Sequence, residues 1–420
     1  MAGGNLVMSL DRDTGRYDVV VVGGGPAGLT CATEVRELLG ASALLTERAG
    51  YFGGTPQSTD HLGFGMRDLH RVMSGPRYAR TLERRAQAEG VVLRAGTTVL
   101  EWSPQLVVDL AGDHARYNVQ ARAIVLATGV RERSRHARLV PGDRGAGVYT
   151  TGALQRLVYQ LGIKVGTRAV VVGAEHVSFT AISTLAHGGC QTVALVTAHE
   201  RDQTFAPLRW LYASRRSIPV YTNDEIALIH GTQRVTGVTL NSGKHITCDT
   251  VIFTGDWIPE SDLARIGGLE ICAGSRAPEV DSLGRTRHPG IFTIGNAVHP
   301  AEASDLCALN ARRAVRGLGD WLNGGLWHRA VVAVRVRPPL LWTWPSLVSL
   351  DDADAEMLLR VSRFVEPPMR ITVTQAGKTI WSTRRRRTIV TNRSFTLPMQ
   401  WVREVDSTLG EVEIAIDGVT

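Results

Sequence analysis

Hydrophobic positions in this chain fall mostly in short unbroken runs that stop at glycines. Val19–Val22 is such a run, too short for a helix and ended by Gly23, so it predicts a strand buried in a parallel sheet. A helix carrying Ala27, Leu29, Ala32 and Val35 on its apolar side follows, then a second strand at Ala43–Thr46. Pro76 stands where another helix begins, read from Tyr78 to Ala88 and stopped at Gly90. Val91–Leu93 and Thr97–Trp102 read as further strands of the same sheet, and Ile124–Ala127 as another. The rhythm restarts with a strand at Ala169–Val172 and a helix over Val177 to His187. Cys248–Thr254 and Gly290–Ile294 read as strands back in the first unit. Asp281–Arg285 reads as a polar hairpin-like turn, and Ala303 to Leu322 as a long amphipathic helix. From about 330 the pattern becomes short β-rich runs separated by Pro, Gly and Asn, predicting a small antiparallel sheet or sandwich.

The chemistry lies where strands end. Gly23, Gly25 and Gly28 form G-x-G-x-x-G between the first strand and a helix opened by Pro26 and Ala27. The first glycine permits the tight turn, the second lets a pyrophosphate reach the backbone, and the third lets helix and strand pack closely. Glu47 ends the second strand about 20 residues beyond the last glycine, where a carboxylate binds an adenosine ribose hydroxyl. Strand, glycines, helix, strand and acid in register predict a dinucleotide site. Gly53-Gly54 permits a second close approach of the backbone to a phosphate or ring edge. Ala127-Thr128-Gly129 suits a ligand crossing the carboxyl end of the sheet. In the second unit the same template lands on Gly173, Glu175 and Ser178. Glu175 would set a charge against pyrophosphate, and at about 4 Å two like charges repel by roughly 1–4 kcal/mol. Ser178 widens the helix–strand contact, so NAD(P) binding there is doubtful. Asp305 suits the positive end of the long helix, and that N-terminus would also favour an electron-rich carbonyl.

Composition narrows the class. A chain of 420 residues suggests two or three domains, and 44% apolar with 21% charged residues is ordinary for a globular protein. No apolar run reaches the roughly 18 residues of a membrane helix. The N-terminus MAGGNLVMSLDRDTGR lacks the basic and apolar regions of a secretory leader. Five scattered cysteines form no C-x-x-C pair and fit a reducing cytoplasm, and no metal site is assigned. The net charge of +7 is nearly all arginine, with lysine only at Lys164, Lys244 and Lys378. Its one dense run, Arg384–Arg387, lies in a strand-like segment, so nucleic-acid binding is not expected.

GGGPAG, Glu47, the Ala127-Thr128-Gly129 turn, a nested second strand–helix unit and GIFTIGN together resemble the two-dinucleotide-binding-domain flavoproteins of the pyridine nucleotide–disulfide oxidoreductase superfamily. The resemblance covers residues 17 to about 325. It implies an α/β fold with two Rossmann-like domains, the second nested within the first, plus a small C-terminal β-rich domain. The expected boundaries are 15–145 and 246–327 for an FAD-binding domain, 146–245 for the nested NAD(P)-binding-like domain, and 330–420 for the tail. By the same resemblance Gly23, Gly25, Pro26, Ala27 and Gly28 take the pyrophosphate and Glu47 with Arg48 the adenosine end. Gly54, Thr55, Thr128 and Gly129 flank the cofactor, and Gly295 and Asn296 meet its ribityl chain. The usual aspartate at the last position is Asn296 here, whose amide oxygen still accepts a hydroxyl. GGTPQSTDHLGFGMRDLHR and TGVRERSRHARLVPGDRGAGVYTTGALQRLV are similar to the FAD subunits of sarcosine oxidase alpha, opine oxidase and hydroxyproline dehydrogenase types, and to glycerol-3-phosphate oxidoreductases. No cysteine follows Gly53-Gly54 and no C-x-x-C stands in the nested domain, which excludes disulfide reduction.

Oxidation next to an amine or alcohol needs a base or a charged anchor beside the flavin. His61 and Arg67 are the nearest candidates after Gly53-Gly54, with His70 behind them; His299 and Glu302 follow Asn296. Each also has a structural reading, as a helix-surface residue or a histidine satisfied by a loop carbonyl. Trp342, Trp344 and Trp381 read as packing residues of the tail. The expected activity is a cytoplasmic FAD-dependent dehydrogenase of a small polar metabolite of amine, amino-acid or polyol type. Electrons would pass to a non-nicotinamide acceptor or a partner subunit, and the expected partners are the small-molecule substrate and a partner subunit or a homo-oligomer. A non-catalytic flavoprotein subunit with structural FAD and an NAD(P)H-dependent reductase are the alternatives.

Overall fold

The computed structural model describes residues 15–112, 115–300, 302–327, 331–349 and 352–418. Residues 1–14, on which most of the leader reading rests, lie outside the described residues. The first unit is a seven-stranded sheet. Its order runs Val92–Arg94, Ala43–Thr46, Arg16–Val22, Arg116–Leu126, Val107–Ala111 and Thr98–Trp102, with Ile291–Thr293 also paired to Arg116–Leu126. The strands through Val19–Val22 are parallel and fully buried, as their unbroken valine run requires. Helices Pro26–Leu39 and Ser304–Leu322 pack on one face, closing a core that includes Leu29, Val35, Leu45, Phe292 and Leu318. Burying each such side chain contributes about 1.5–3 kcal/mol.

The nested unit is a five-stranded parallel sheet in the order Val148–Thr150, Thr250–Phe253, Arg168–Val172, Gln191–Val196, Val220–Tyr221. This corrects the expected return to the first domain at 246. Thr250–Phe253 lies between Val148–Thr150 and Arg168–Val172 and belongs to the nested sheet. Four consecutive buried residues read alike in either sheet, because an apolar run does not name its neighbours. The two crossings between the units, Val130–Glu132 and Trp257–Pro259, run side by side as an antiparallel ribbon.

The tail forms two packed sheets of five and three strands around Met357, Val373, Trp401 and Ile414. The sandwich was expected, but it is not wholly antiparallel, since Val332–Val336 runs parallel to Val412–Asp417. Trp342 and Trp344 are buried against Val280 and Val298 and fix this module to the first unit. Trp381 packs, partly buried, on the module's own core. All three therefore serve packing.

Candidate functional site

The three motif glycines do different work. A Cβ on Gly28 would stand 1.9 Å from the Gly23 carbonyl oxygen, and one on Gly23 would stand 2.4 Å from that of Ala127. Gly23 also holds φ at +108°, which L side chains rarely adopt. Both positions exist for backbone packing. A Cβ on Gly25 meets nothing within 4 Å, so the space above it is open to a ligand. Gly54 lies against Gly25, and the Gly53 N–H donates to the Gly24 carbonyl at 2.7 Å, so the two glycine turns are stacked. Glu47 accepts from the Gly24 and Ala49 N–H groups, each at 2.8 Å. Those bonds aim the carboxylate and leave each oxygen a lone pair for a hydroxyl.

This turn opens into a cavity of about 830 Å³. Gly23, Gly25, Pro26, Ala27, Glu47, Arg48, Gly54, Thr55, Thr128, Gly129 and Asn296 line it, as does His61. Gly28 and Gly295 stand behind the wall instead. Gly295 (φ +65°) packs where a Cβ would be 2.7 Å from that of Ala27, and its N–H donates to Asn310 Oδ1 at 2.7 Å. Asn296 donates to the Glu302 carbonyl at 3.0 Å and accepts the Glu302 N–H at 2.9 Å, so its amide braces the turn before Ser304–Leu322. Thr128 donates to the Glu260 carbonyl at 2.7 Å. Asp305 lines the cavity at the long helix's N-terminus and accepts the Leu306 N–H at 3.0 Å and that of Arg67 at 3.3 Å. Cys307 beside it is buried, and burial pushes its thiol far up, so it is no ready thiolate.

The catalytic candidates separate. His61 Nδ1 lies 2.8 Å from the Leu62 carbonyl oxygen, which only accepts, so Nδ1 carries the proton and Nε2 keeps its lone pair. Arg67 and His70 have exposed side chains outside the cavity wall. For Arg67 this corrects the sequence expectation: the segment turns at Gly65 (φ +77°), and only its backbone N–H points inward, to Asp305. His299 is buried edge-on to Trp344, and burial lowers it to about 4. Glu302 lines the cavity, but its carboxylate is shared by Arg360 at 2.9 Å and Ser394 at 2.5 Å, both in the C-terminal module. Glu132, Trp257, Glu260 and, from the nested unit, His176 also line the cavity and went unmarked in the sequence. Only the position of His176 beside Glu175 could have drawn attention to it.

The nested unit repeats the first turn with Glu175 and Ser178 where the first has Gly25 and Gly28. The Gly173 N–H donates to the Val196 carbonyl at 2.8 Å, just as that of Gly23 donates to Thr46 at 2.8 Å. Glu175 sits at the N-cap with φ −89° and ψ 176°, matching Gly25 at −79° and −175°. Its carboxylate folds inward, accepts the Ala174 N–H at 3.1 Å, and lies among the ideal Cβ positions of Gly173 and Gly255. Burial pushes this carboxyl up, opposed by the nearby Thr254 and Ser178 hydroxyls and the Arg138 charge. Ser178, fully buried, bonds Thr254 Oγ1 at 2.7 Å where the first unit has Gly28. Thr197 follows the second strand where the first unit has Glu47, and its hydroxyl oxygen accepts the His199 N–H at 3.3 Å. A second cavity of about 600 Å³ opens here, walled on its far side by Trp342, Thr391 and Asn392 of the C-terminal module.

Comparison with known proteins agrees with the architecture. Residues 17–330 match the family model described as pyridine nucleotide-disulphide oxidoreductase. The chain is 27% identical over 296 residues to the probable ferredoxin reductase CtmF of Castellaniella defragrans, covering 66% of this chain and 67% of that one. It is 24% identical over 360 residues to an opine oxidase subunit of Rhizobium meliloti, covering 77% and 66%. The chain thus spans about two thirds of the length of these curated relatives. Among solved structures, thioredoxin reductase of T. acidophilum shares the fold with TM-score 0.61 at 22% identity, covering 73% of this chain and 98% of that one. L-proline dehydrogenase of P. horikoshii does so with TM-score 0.55 at 17% identity, covering 74% and 57%. With the open Gly25 cradle, the aimed Glu47 carboxylate and a match over most of its length, this chain belongs to the pyridine nucleotide-disulphide oxidoreductase family and is an FAD-binding oxidoreductase.

Proposed function

We propose that the chain is a dehydrogenase of a small polar metabolite of amine, amino-acid or polyol type, passing electrons to a non-nicotinamide acceptor or a partner subunit. In this reading Gly25, Pro26 and Ala27 hold the FAD pyrophosphate at the helix N-terminus, while Glu47 and Arg48 face the adenosine end. Gly54, Thr55, Thr128, Gly129 and Asn296 line the remaining length. Bound flavin supplies hydride acceptance, and the chain supplies orientation and proton handling. His61 Nε2, its lone pair fixed by the Nδ1–Leu62 bond, takes the substrate proton.

The observation that carries the acceptor assignment is Glu175. The second Rossmann turn holds a carboxylate of its own where a nicotinamide nucleotide would need an open glycine. Two relatives bear names that fit such an acceptor, a ferredoxin reductase and an oxidase subunit. The test is anaerobic stopped-flow mixing of the FAD-loaded protein with NADH, with NADPH, and with a panel of amino acids, amines and polyols. Bleaching of the flavin by a panel metabolite and slow reaction with both nicotinamides is expected. Fast bleaching by either nicotinamide overturns the acceptor assignment, and no bleaching by any metabolite overturns the dehydrogenase reading.

A further inference from the structure

Redox chemistry on a flavin moves protons as well as electrons, and a side chain that joins the cavity to the surface is therefore a candidate path. His176 is the first residue of the helix His176–His187 and reaches the cofactor cavity from the nested unit, on a different element from His61. It is half-buried. Its Nδ1 lies 2.8 Å from Thr204 Oγ1, and Thr204 is itself half-exposed on the loop after Gln191–Val196. A hydroxyl both donates and accepts, unlike the carbonyl that fixes His61 in one tautomer. The imidazole of His176 can therefore take a proton at one nitrogen while releasing one at the other.

We propose that His176 and Thr204 form a proton relay between the flavin cavity and solvent, with His61 as the base inside. A proton leaving the cavity is accepted at His176 Nε2 while the Nδ1 proton passes to Thr204 Oγ1, whose own proton goes to water. Uptake runs the same bonds in reverse, so no charge accumulates on the ring. The surroundings suit transit rather than storage. The ring packs against Phe205, tilted by 32° with centroids 4.6 Å apart, and the Arg393 guanidinium of the C-terminal module lies 3.9 Å from the Phe205 centroid. Burial, with Arg393 behind it, lowers His176 to about 4 and keeps the resting imidazole neutral. Arg393 is held by its own bond to the Gln203 carbonyl at 2.8 Å, so the C-terminal module buttresses the relay.

The inference rests on flavin in the cavity and not on any metabolite, so its test uses an artificial donor. The FAD-loaded protein is reduced by light with a deazaflavin, while flavin absorbance and a pH-indicator dye are followed together. In the parent protein, proton uptake keeps pace with bleaching. In His176→Gln it lags at least ten-fold, and imidazole added to the buffer restores it; Thr204→Val slows it several-fold without touching the ring. Proton uptake that keeps pace with bleaching in both variants overturns the relay. A lag that imidazole does not rescue also overturns it, because a purely structural role would behave that way.

Discussion

Replacing Gly25 and Gly28 separately by alanine separates ligand contact from chain packing in one motif. At Gly28 the new Cβ would stand 1.9 Å from the Gly23 carbonyl oxygen, whereas ordinary contact begins near 3.4 Å. The helix Pro26–Leu39 or the turn must therefore shift by about 1.5 Å, and overpacking of that kind costs about 1–3 kcal/mol. At Gly25 the Cβ meets no protein atom within 4 Å and φ is an ordinary −79°, so the FAD-free protein should lose no stability. The methyl instead enters the space assigned to pyrophosphate. Losing one hydrogen bond to a charged group there costs about 1.5–3 kcal/mol, a roughly 10- to 150-fold rise in Kd. Thermal melts of the FAD-free variants and FAD titrations by fluorescence quenching give both quantities. Expected are a wild-type melt with weak FAD binding for Gly25→Ala, and a Tm lowered by several degrees for Gly28→Ala. FAD binding by Gly25→Ala within two-fold of wild type would refute the assignment of the cradle.

Further expectations follow from other contacts. Glu302→Ala takes the carboxylate from a buried pair with Arg360 (side chains 9% and 6% exposed), which should cost about 3–5 kcal/mol in denaturant melts, while Glu302→Leu with Arg360→Met should recover much of it. His299 is lowered to about 4 against about 6.5 in the unfolded chain, so the unfolded state binds more protons between those values and stability falls as pH drops through that window. That loss should be about 2 kcal/mol between pH 7 and pH 5, and His299→Phe should flatten that part of the stability profile; an unchanged slope would refute it. Asp305→Asn removes a negative charge from the cavity wall and should raise the flavin midpoint potential by about 20 mV if the charge acts at about 1 kcal/mol, as spectroelectrochemical titration would show. Glu175→Gly should gain at least ten-fold in NAD+ affinity by calorimetry, and combining it with Thr197→Glu should gain more; no gain in either variant would remove Glu175 as the obstacle.

The first turn was legible because everything it needs lies within about thirty residues. Strand, glycines, helix and Glu47 interact locally, and the template names them in order. The membership of Thr250–Phe253 was not, because its partners Val148–Thr150 and Arg168–Val172 are fixed by pairing across some 80 to 100 residues. Arg67 misled for a related reason. Closeness in sequence to Gly53-Gly54 says nothing of direction, and the positive-φ turn at Gly65 sends its side chain to solvent. His61 lies in the cavity wall with its ring bonded to a loop carbonyl, the contact its structural reading named. His176 required knowing that the helix following Gly173 faces the other unit's cavity, which no local pattern contains.

Three helix N-termini in this chain carry the same positive end and treat it differently. At Pro26 the N-cap is glycine and the nearest acid, Glu47, is tied to Gly24 and Ala49, so the helix end stays available to a diphosphate. At Ser304 the end is half claimed, because Asp305 accepts from Leu306 yet still faces the cavity. At His176 the end is filled from within by Glu175, braced by the Ala174 N–H. The Gln203 N–H in turn donates to the Ala174 carbonyl at 2.9 Å, and Gln203 is gripped by Asn392 and Arg393 of the C-terminal module. A nucleotide entering the second turn would have to expel a buried carboxylate and loosen that module as well. The C-terminal sandwich thus braces the second Rossmann turn, through Gln203 and Ala174, with Glu175 seated in it.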